Sequence, residues 1–321
     1  MKNATPFVPS LNDIRAAANS LAPYIIRTPV LRLNTPDNAQ EIYLKLENLQ
    51  PIGAYKARSM GNILLSADAD TLRHGAYTAS SGNAGLGLAW IAQKLGISAR
   101  IYAPQSSPPA KLDAIRKFGG HIHLLSHEDW WRIIEYGGHA TDPGLYADAV
   151  RSPAALAGNG TIGLEIMEQL PDVARIIVPF GGGGIVCGIA AAVRALHADT
   201  RIVIAESDAA TPATAAFKEG RPVQVEMQPS FISGAGAPCV LKEMWPLIQT
   251  LVDETRVVPV SGVAAAIRFM CAHNHVVAEG AGAISVAAAL AEPTMTGKTV
   301  CVVSGGNIDP EIIAKILLRQ L

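Results

Sequence analysis

The chain has 321 residues, 49% of them hydrophobic, a length that points to more than one lobe because single cores rarely grow past about 250–300 residues. Its 26 Lys and Arg balance 27 Asp and Glu, so there is no basic field to hold nucleic acid or an anionic membrane. No run reaches the roughly 18 apolar residues of a membrane span, residues 1–10 lack a signal-peptide core, and Cys187, Cys239, Cys271 and Cys301 form no CxxC pair, which together suggest reduced thiols and a cytoplasmic location.

Short β-rich runs alternate with longer helical patterns. In chain order the pattern predicts strand 42–46, helix 56–65, strand 77–80, helix 84–95, strand 99–103, helix 109–118 and strand 121–125. It continues with helix 162–170, strand 175–179, helix 185–197, strand 202–206, helix 263–272, strand 299–303 and helix 310–318. Several strands are continuous apolar stretches, as expected of strands covered on both faces. The alternation predicts an α/β fold with parallel sheets and helices on both sides. Segment 127–151, with Trp130, Trp131 and turns at Gly137-Gly138 and Pro143-Gly144, is the least regular, and a lobe boundary is placed near its end.

Gly181, Gly182, Gly183 and Gly184 follow strand 175–179 and open the next helix. Such a turn exposes successive backbone N–H groups, and the helix start adds about half a positive charge, which makes a phosphate cradle. A bare turn needs fewer glycines, so phosphate is the favoured reading. The run is not GxGxxG, but Glu206 lies 22 residues after Gly184, and a nicotinamide dinucleotide stands as the weaker alternative. Ser80-Ser81-Gly82-Asn83 sits between a strand and a helix, where it either caps the helix or holds a carboxylate. Ser304-Gly305-Gly306-Asn307 repeats the arrangement after the last strand. Each of these two loops, taken alone, reads as a turn plus cap. Lys56 follows Gly53-Ala54-Tyr55 at a helix start, where the positive helix end and apolar neighbours favour the neutral amine that a Schiff base requires. A solvated surface lysine is the ordinary alternative.

Together these segments resemble one family, the fold-type II pyridoxal-phosphate enzymes. Residues 45–58, KLENLQPIGAYKAR, resemble its KxExxQxTGSFKxR segment, Ser80-Ser81-Gly82-Asn83 its asparagine loop, and residues 181–184 its tetraglycine loop. Glu279-Gly280-Ala281-Gly282-Ala283 resembles its EPxAG segment, and residues 304–309 its SGGN(I/V)D. The five matches occur in the family's order and span nearly the whole chain. Within the family the chain is most similar to the serine/threonine dehydratase and serine racemase branch. Cysteine synthases carry a threonine-rich phosphate loop and a different ending. The resemblance implies a two-lobed, tryptophan synthase β-like α/β fold with parallel-rich sheets flanked by helices. Residues 1–74 and 152–321 would form the large cofactor domain and 75–151 a smaller mobile one. No C-terminal regulatory region like that of biosynthetic threonine dehydratases is expected.

The same resemblance implies pyridoxal 5′-phosphate as cofactor. Lys56 would hold it and act as the base, Asn83 would bond its 3′ oxygen, and Gly181, Gly182, Gly183 and Gly184 would bind its phosphate. Ser304 would face the pyridine nitrogen, and Glu279 would complete the cofactor site. Ser80, Ser81, Gly82, Asn83 and Ala84 would bind the substrate, and Ser81 would be a second proton carrier. The expected activity is an ammonia-lyase that converts threonine, serine or a bulkier 3-hydroxy amino acid to a 2-oxo acid and ammonia, working as a homodimer. An amino-acid racemase, a β-replacing transferase and a non-catalytic binder on the same scaffold are the alternatives. Four departures bear on the substrate end: Ile52-Gly53-Ala54-Tyr55-Lys56 replaces Thr-Gly-Ser-Phe-Lys, Ala84 replaces a histidine, Tyr146-Ala147-Asp148-Ala149-Val150-Arg151 stands for an aromatic–Asp segment, and Gly158-Asn159-Gly160-Thr161 for the GQGT-like turn after it. Glu206 and Ala210 match a cation site of some relatives, but its third position is Pro212, which offers no side-chain oxygen, so no metal is expected.

Overall fold

Apolar strands buried on both faces need helices on both faces, and two such sheets organise the chain. The computed structural model describes residues 7–35, 40–197, 199–292 and 296–321; the first six residues of the stretch read for a signal peptide lie outside them. The strands are β1 Val30–Arg32, β2 Ile42–Leu46, β3 Ala76–Ala79, β4 Ala99–Pro104, β5 His121–Leu125, β6 Leu145–Tyr146, β7 Val173–Pro179, β8 Arg201–Ser207, β9 Glu254–Val258 and β10 Lys298–Val303. The helices begin with α1 Leu11–Leu21, α2 Lys56–Leu65, α3 Ala69–Leu72, α4 Asn83–Leu95, α5 Pro109–Lys117, α6 His127–Tyr136 and α7 Pro153–Gln169. They continue with α8 Gly184–Leu196, α9 Pro212–Glu219, α10 Trp245–Leu251, α11 Val260–Asn274, α12 Gly280–Leu290 and α13 Pro310–Leu317. Among the described residues no helix is long and apolar enough to cross a membrane.

The larger sheet has the order β1-β2-β10-β7-β8-β9, parallel except for β1. Alternate residues of its central strands feed two cores. Val300 and Val302 pack with Ile185, Val186 and Ile189 of α8, whereas Cys301 and Val303 pack with α11 and α12 through Ile267 and Ile284. The smaller sheet, β5-β4-β3-β6, is wholly parallel. On one face α2, α4 and α5 cover it through Met60, Leu88 and Ile115, and on the other α6 packs Ile133 against Tyr77 and Tyr102.

Three expectations need correction. Gly158-Asn159-Gly160-Thr161 is not a turn but the middle of α7, which starts at Pro153 rather than at 162. Its glycines serve close packing. A Cβ on Gly158 would lie 2.5 Å from the Arg58 carbonyl oxygen, and one on Gly163 2.7 Å from that of Ile189. The irregular segment 127–151 contains helix α6, begun by Ser126, whose hydroxyl accepts the Asp129 amide at 3.1 Å. Helix α4 has Gly82 as its N-cap and no side-chain cap, so neither serine nor asparagine of that loop caps it as an ordinary turn would require.

Helices α7 and α8 meet where Gly188 faces Asn159: a Cβ there would stand 2.6 Å from both the Asn159 Cβ and the Leu156 carbonyl oxygen. Gly188→Ala is therefore expected to lower stability by about 1–3 kcal/mol, read as an earlier denaturant midpoint with an unchanged slope. A midpoint equal to the wild type's would mean that the two helices separate at no cost.

Candidate active site

Open parallel sheets bind ligands beyond the carboxyl ends of their strands. In the larger sheet β10 lies between β2 and β7, so the turns after these three strands become neighbours. They carry Lys56, Ser304 and the glycine run. The lysine turn and the C-terminal turn are laced by backbone bonds, Tyr55 N to Ser304 O at 2.9 Å and Gly306 N to Gly53 O at 2.8 Å. Gly53 has φ +71, and a Cβ there would meet the Asn307 side chain at 2.6 Å.

Beneath the lysine turn lies a closed charge cluster. Arg58 is fully buried and grips Glu47 with Nε and Nη2 at 2.7 and 2.8 Å. Its Nη1 and Nη2 reach Glu165 at 2.7 and 2.9 Å. Buried Lys45 donates to Glu165 at 2.5 Å and to the Thr28 carbonyl at 2.7 Å. Burial pushes the Glu47 carboxyl up, but the Arg58 charge and hydrogen bonds outweigh it and hold the carboxyl below its usual range. Helix α2 therefore leaves this cluster in a fixed direction, with Lys56 as its first residue.

A cavity of about 270 Å³ collects the site. It is lined by Lys56, Ser80, Gly82, Asn83, Ala84, Gly181, Gly182, Gly183, Gly184, Glu279 and Ser304, which are the expected residues with one exception. Ser81 lines an adjoining cavity of about 470 Å³, which shares Gly82, Asn83, Gly234 and Glu279 with the first. The Lys56 ammonium lies 4.8 Å from the centre of the Tyr55 ring. Glu206 and Ala210 line neither cavity. The Glu206 carboxylate accepts the Ala213 and Thr214 amides at 2.8 and 2.9 Å and the Thr214 hydroxyl at 2.7 Å, so it caps α9.

The residues fit pyridoxal 5′-phosphate. Helix α8 starts at Gly184 with Gly183 as N-cap at φ +94, so the N-cap itself has no side chain to compete for the first amides. The space beside the loop is too narrow for side chains: a Cβ on Gly182 would come within 2.8 Å of Val150, and one on Gly184 within 2.9 Å of the Ala149 carbonyl oxygen. A dianionic phosphate suits that positive helix end. Lys56 supplies the amine and Ser304 a neutral hydroxyl. Tyr146 and Arg151, from a segment read as bearing on the substrate end, line the cavity, but the wall formed by Trp130 and Ile134 was missed. Apolar residues at 130, 133 and 134 behind a Ser-x-x-Asp start were the available signal.

Glu279 is the electrostatically unusual group. It is 5% exposed, and burial pushes its carboxyl up to about 7, against smaller opposing effects from the Asn83 hydrogen bond at 2.8 Å and from Lys111. In an unfolded chain its pKa returns to the ordinary 4.5. The folded state then holds the extra proton between these values, so stability falls as pH rises through that window and levels off above about 7. In cofactor-free protein, Glu279→Gln should lack this slope. The check is the wild-type minus variant difference in unfolding free energy from pH 5 to 8, and a flat difference would refute the shift.

Comparison with known proteins fits the cavity. Residues 21–306 match the family model described as pyridoxal-phosphate dependent enzyme. The chain is 38% identical over 283 residues to an L-threonine ammonia-lyase of Geobacter sulfurreducens, covering 87% of this chain and 70% of that one. It is 32% identical over 321 residues to the catabolic L-threonine dehydratase of Escherichia coli, covering 96% and 95%. Maize serine racemase superposes with a TM-score of 0.89 at 28% identity over 98% of both chains. The chain belongs to the pyridoxal-phosphate dependent enzyme family, and pyridoxal 5′-phosphate is its cofactor.

Proposed function

We propose that the protein is an ammonia-lyase that removes water and then ammonia from a small 3-hydroxy amino acid. The observation that carries this reading is the convergence of Lys56, Asn83, the glycine run and Ser304 on one cavity, in a chain similar to L-threonine ammonia-lyases and dehydratases. Bound, the cofactor supplies an electron sink for negative charge developing at the substrate Cα. Lys56 holds the cofactor and takes the Cα proton. The start of α4 at Asn83 orients the substrate carboxylate, with Ser80, whose hydroxyl accepts the Gly82 amide at 3.2 Å, and Ser81, Gly82 and Ala84 beside it. Residues 181–184 anchor the phosphate through backbone amides, and Ser304 offers the pyridine nitrogen a neutral partner. The β-hydroxyl leaves as water, with the proton that Lys56 took from Cα, and a further water hydrolyses the resulting enamine, through its imine tautomer, to a 2-oxo acid and ammonia. Residues 75–151 form the smaller domain, which closes on 1–74 and 152–321 and excludes water. The working unit is a cytoplasmic homodimer.

Lys56→Ala is expected to abolish oxo-acid release from every member of a panel of 3-hydroxy amino acids while the far-ultraviolet circular dichroism stays unchanged. The wild type should release oxo acid and ammonia in equal amounts from at least one member. Turnover retained in the variant, or none in the wild type, would overturn the reading.

A second reading, racemisation, is favoured by Ser81. Inversion needs a proton carrier on the face of Cα opposite Lys56, and maize and rice serine racemases are among the similar proteins. Wild type should then exchange the Cα proton for deuterium and form the D-isomer, and Ser81→Ala should lose D-isomer formation far more than elimination of the L-isomer. Equal losses on both isomers would leave Ser81 a substrate-binding residue only.

A further inference from the structure

Asn83 must present an N–H to the cofactor's 3′ oxygen, yet a side-chain amide turned by half a rotation presents a carbonyl in the same place. The structure contains a device that decides between the two. Asn307 donates both hydrogens of its Nδ2, one to the Ile52 carbonyl at 2.8 Å and one to Asn83 Oδ1 at 2.8 Å. A backbone carbonyl can only accept, so it fixes the Asn307 amide as a donor on this side. Asn83 Oδ1 must then face Asn307. That turns Asn83 Nδ2 to the opposite side, where it donates to Glu279 Oε1 at 2.8 Å. Asn307 lines only the adjoining cavity, whereas Glu279 lines the cofactor cavity as well. The nitrogen of Asn83, with one hydrogen still uncommitted, therefore lies on the cofactor side.

We infer that Asn307 and Glu279 are positioning residues which, through the relay Ile52 carbonyl–Asn307–Asn83–Glu279, hold the Asn83 amide with its donor towards the cofactor. Asn307 belongs to a loop whose sequence reads as a mere turn, and its role is independent of which amino acid the enzyme takes. The anchor is backbone: Ile52 lies four residues before Lys56, so the turn that places the lysine also sets the orientation of the amide. Glu279 serves as an acceptor in this arrangement, and a glutamine can replace it there through its carbonyl oxygen.

The test measures retention of pyridoxal 5′-phosphate by the holoenzyme on dialysis and the position of its visible absorption band, in Glu279→Gln, Asn307→Asp and the double variant. The glutamine of E279Q still accepts from Asn83, so that variant should retain the cofactor within about twofold of wild type. Above about pH 8, where Glu279 is ionised, the carboxylate of N307D cannot donate, which leaves Asn83 between two acceptors, and retention should fall about tenfold, roughly the worth of one hydrogen bond. In the double variant the new carboxylate accepts the Asn83 nitrogen and the new glutamine donates to the Asn83 oxygen, so the amide is held fully reversed. Retention should drop below that of N307D, with a shifted band. A purely electrostatic or structural role predicts the opposite, because E279Q removes one of two neighbouring carboxylates. A double variant that equals N307D or improves on it overturns the relay, as does an unshifted band. Far-ultraviolet circular dichroism checks folding. Asn307→Ser, with one donor for two acceptors, should shift the band in the same direction, and a wild-type band in that variant would also count against the relay.

Discussion

Most of the molecule's organisation rests on one buried, electrically balanced cluster. Lys45 and Arg58 carry two positive charges, Glu47 and Glu165 two negative, and all four side chains are nearly or wholly removed from water. Such a set is not a cheap source of stability, because desolvation consumes most of the attraction. What it supplies is direction. Buried charges whose opposite partners are one another favour one mutual arrangement, and here that arrangement ties the end of β2, the first turn of α2 and the C-terminal half of α7 together. Removing one member would strand its partner at a cost of about 3–5 kcal/mol. The lysine at the head of α2 inherits its position from this constraint.

The cluster also explains why the family segment is long. KLENLQPIGAYKAR looks like a motif about one lysine, but only Lys56 reaches the cavity among its charged residues. Lys45, Glu47 and Arg58 face inward, and Gln50 bonds both Glu47 and the Ile26 backbone. The segment thus holds one reacting group and the scaffold that aims it. The departures at Ile52, Ala54 and Tyr55 spare the charged residues, so the scaffold is kept; Ile52 and Ala54 are buried, and only Tyr55 changes the surface that lines the cavity.

The sequence made the interior strands legible, and the reasons are physical. β2, β7, β8 and β10 are largely buried on both faces and read as mostly apolar runs. β1 and β6 were invisible because they are only three and two residues long, and β9 because it is half-exposed and charged; edge position alone did not hide β5. Helix α12 escaped for the opposite reason: almost every residue of GAGAISVAAAL is buried, so no period marks one face. Helix α7 was cut short because glycine reads as a turn unless its packing partner is known, and those partners, in α2 and α8, are distant in sequence. The site was more legible than the fold. Its members sit in loops with unusual composition, and such loops stand out one at a time. What composition could not reveal was the wall at Trp130 and Ile134, or that Ser81 lines only the adjoining cavity while Asn83 lines both.

The position of β10 has a consequence for how the molecule comes into being. It follows the other nine described strands in sequence, yet it stands inside the larger sheet, with β2 on one side and β7 on the other. Until residues 298–303 have left the ribosome, β2 and β7 have no common neighbour, and the lysine turn has nothing to pair with. A nascent chain can assemble its smaller sheet early from consecutive strands, but it owns no cofactor cavity until residues 298–303 are made. Two apolar strand edges stay open throughout that interval, which makes it the stretch of biosynthesis most exposed to mispairing and most dependent on chaperones.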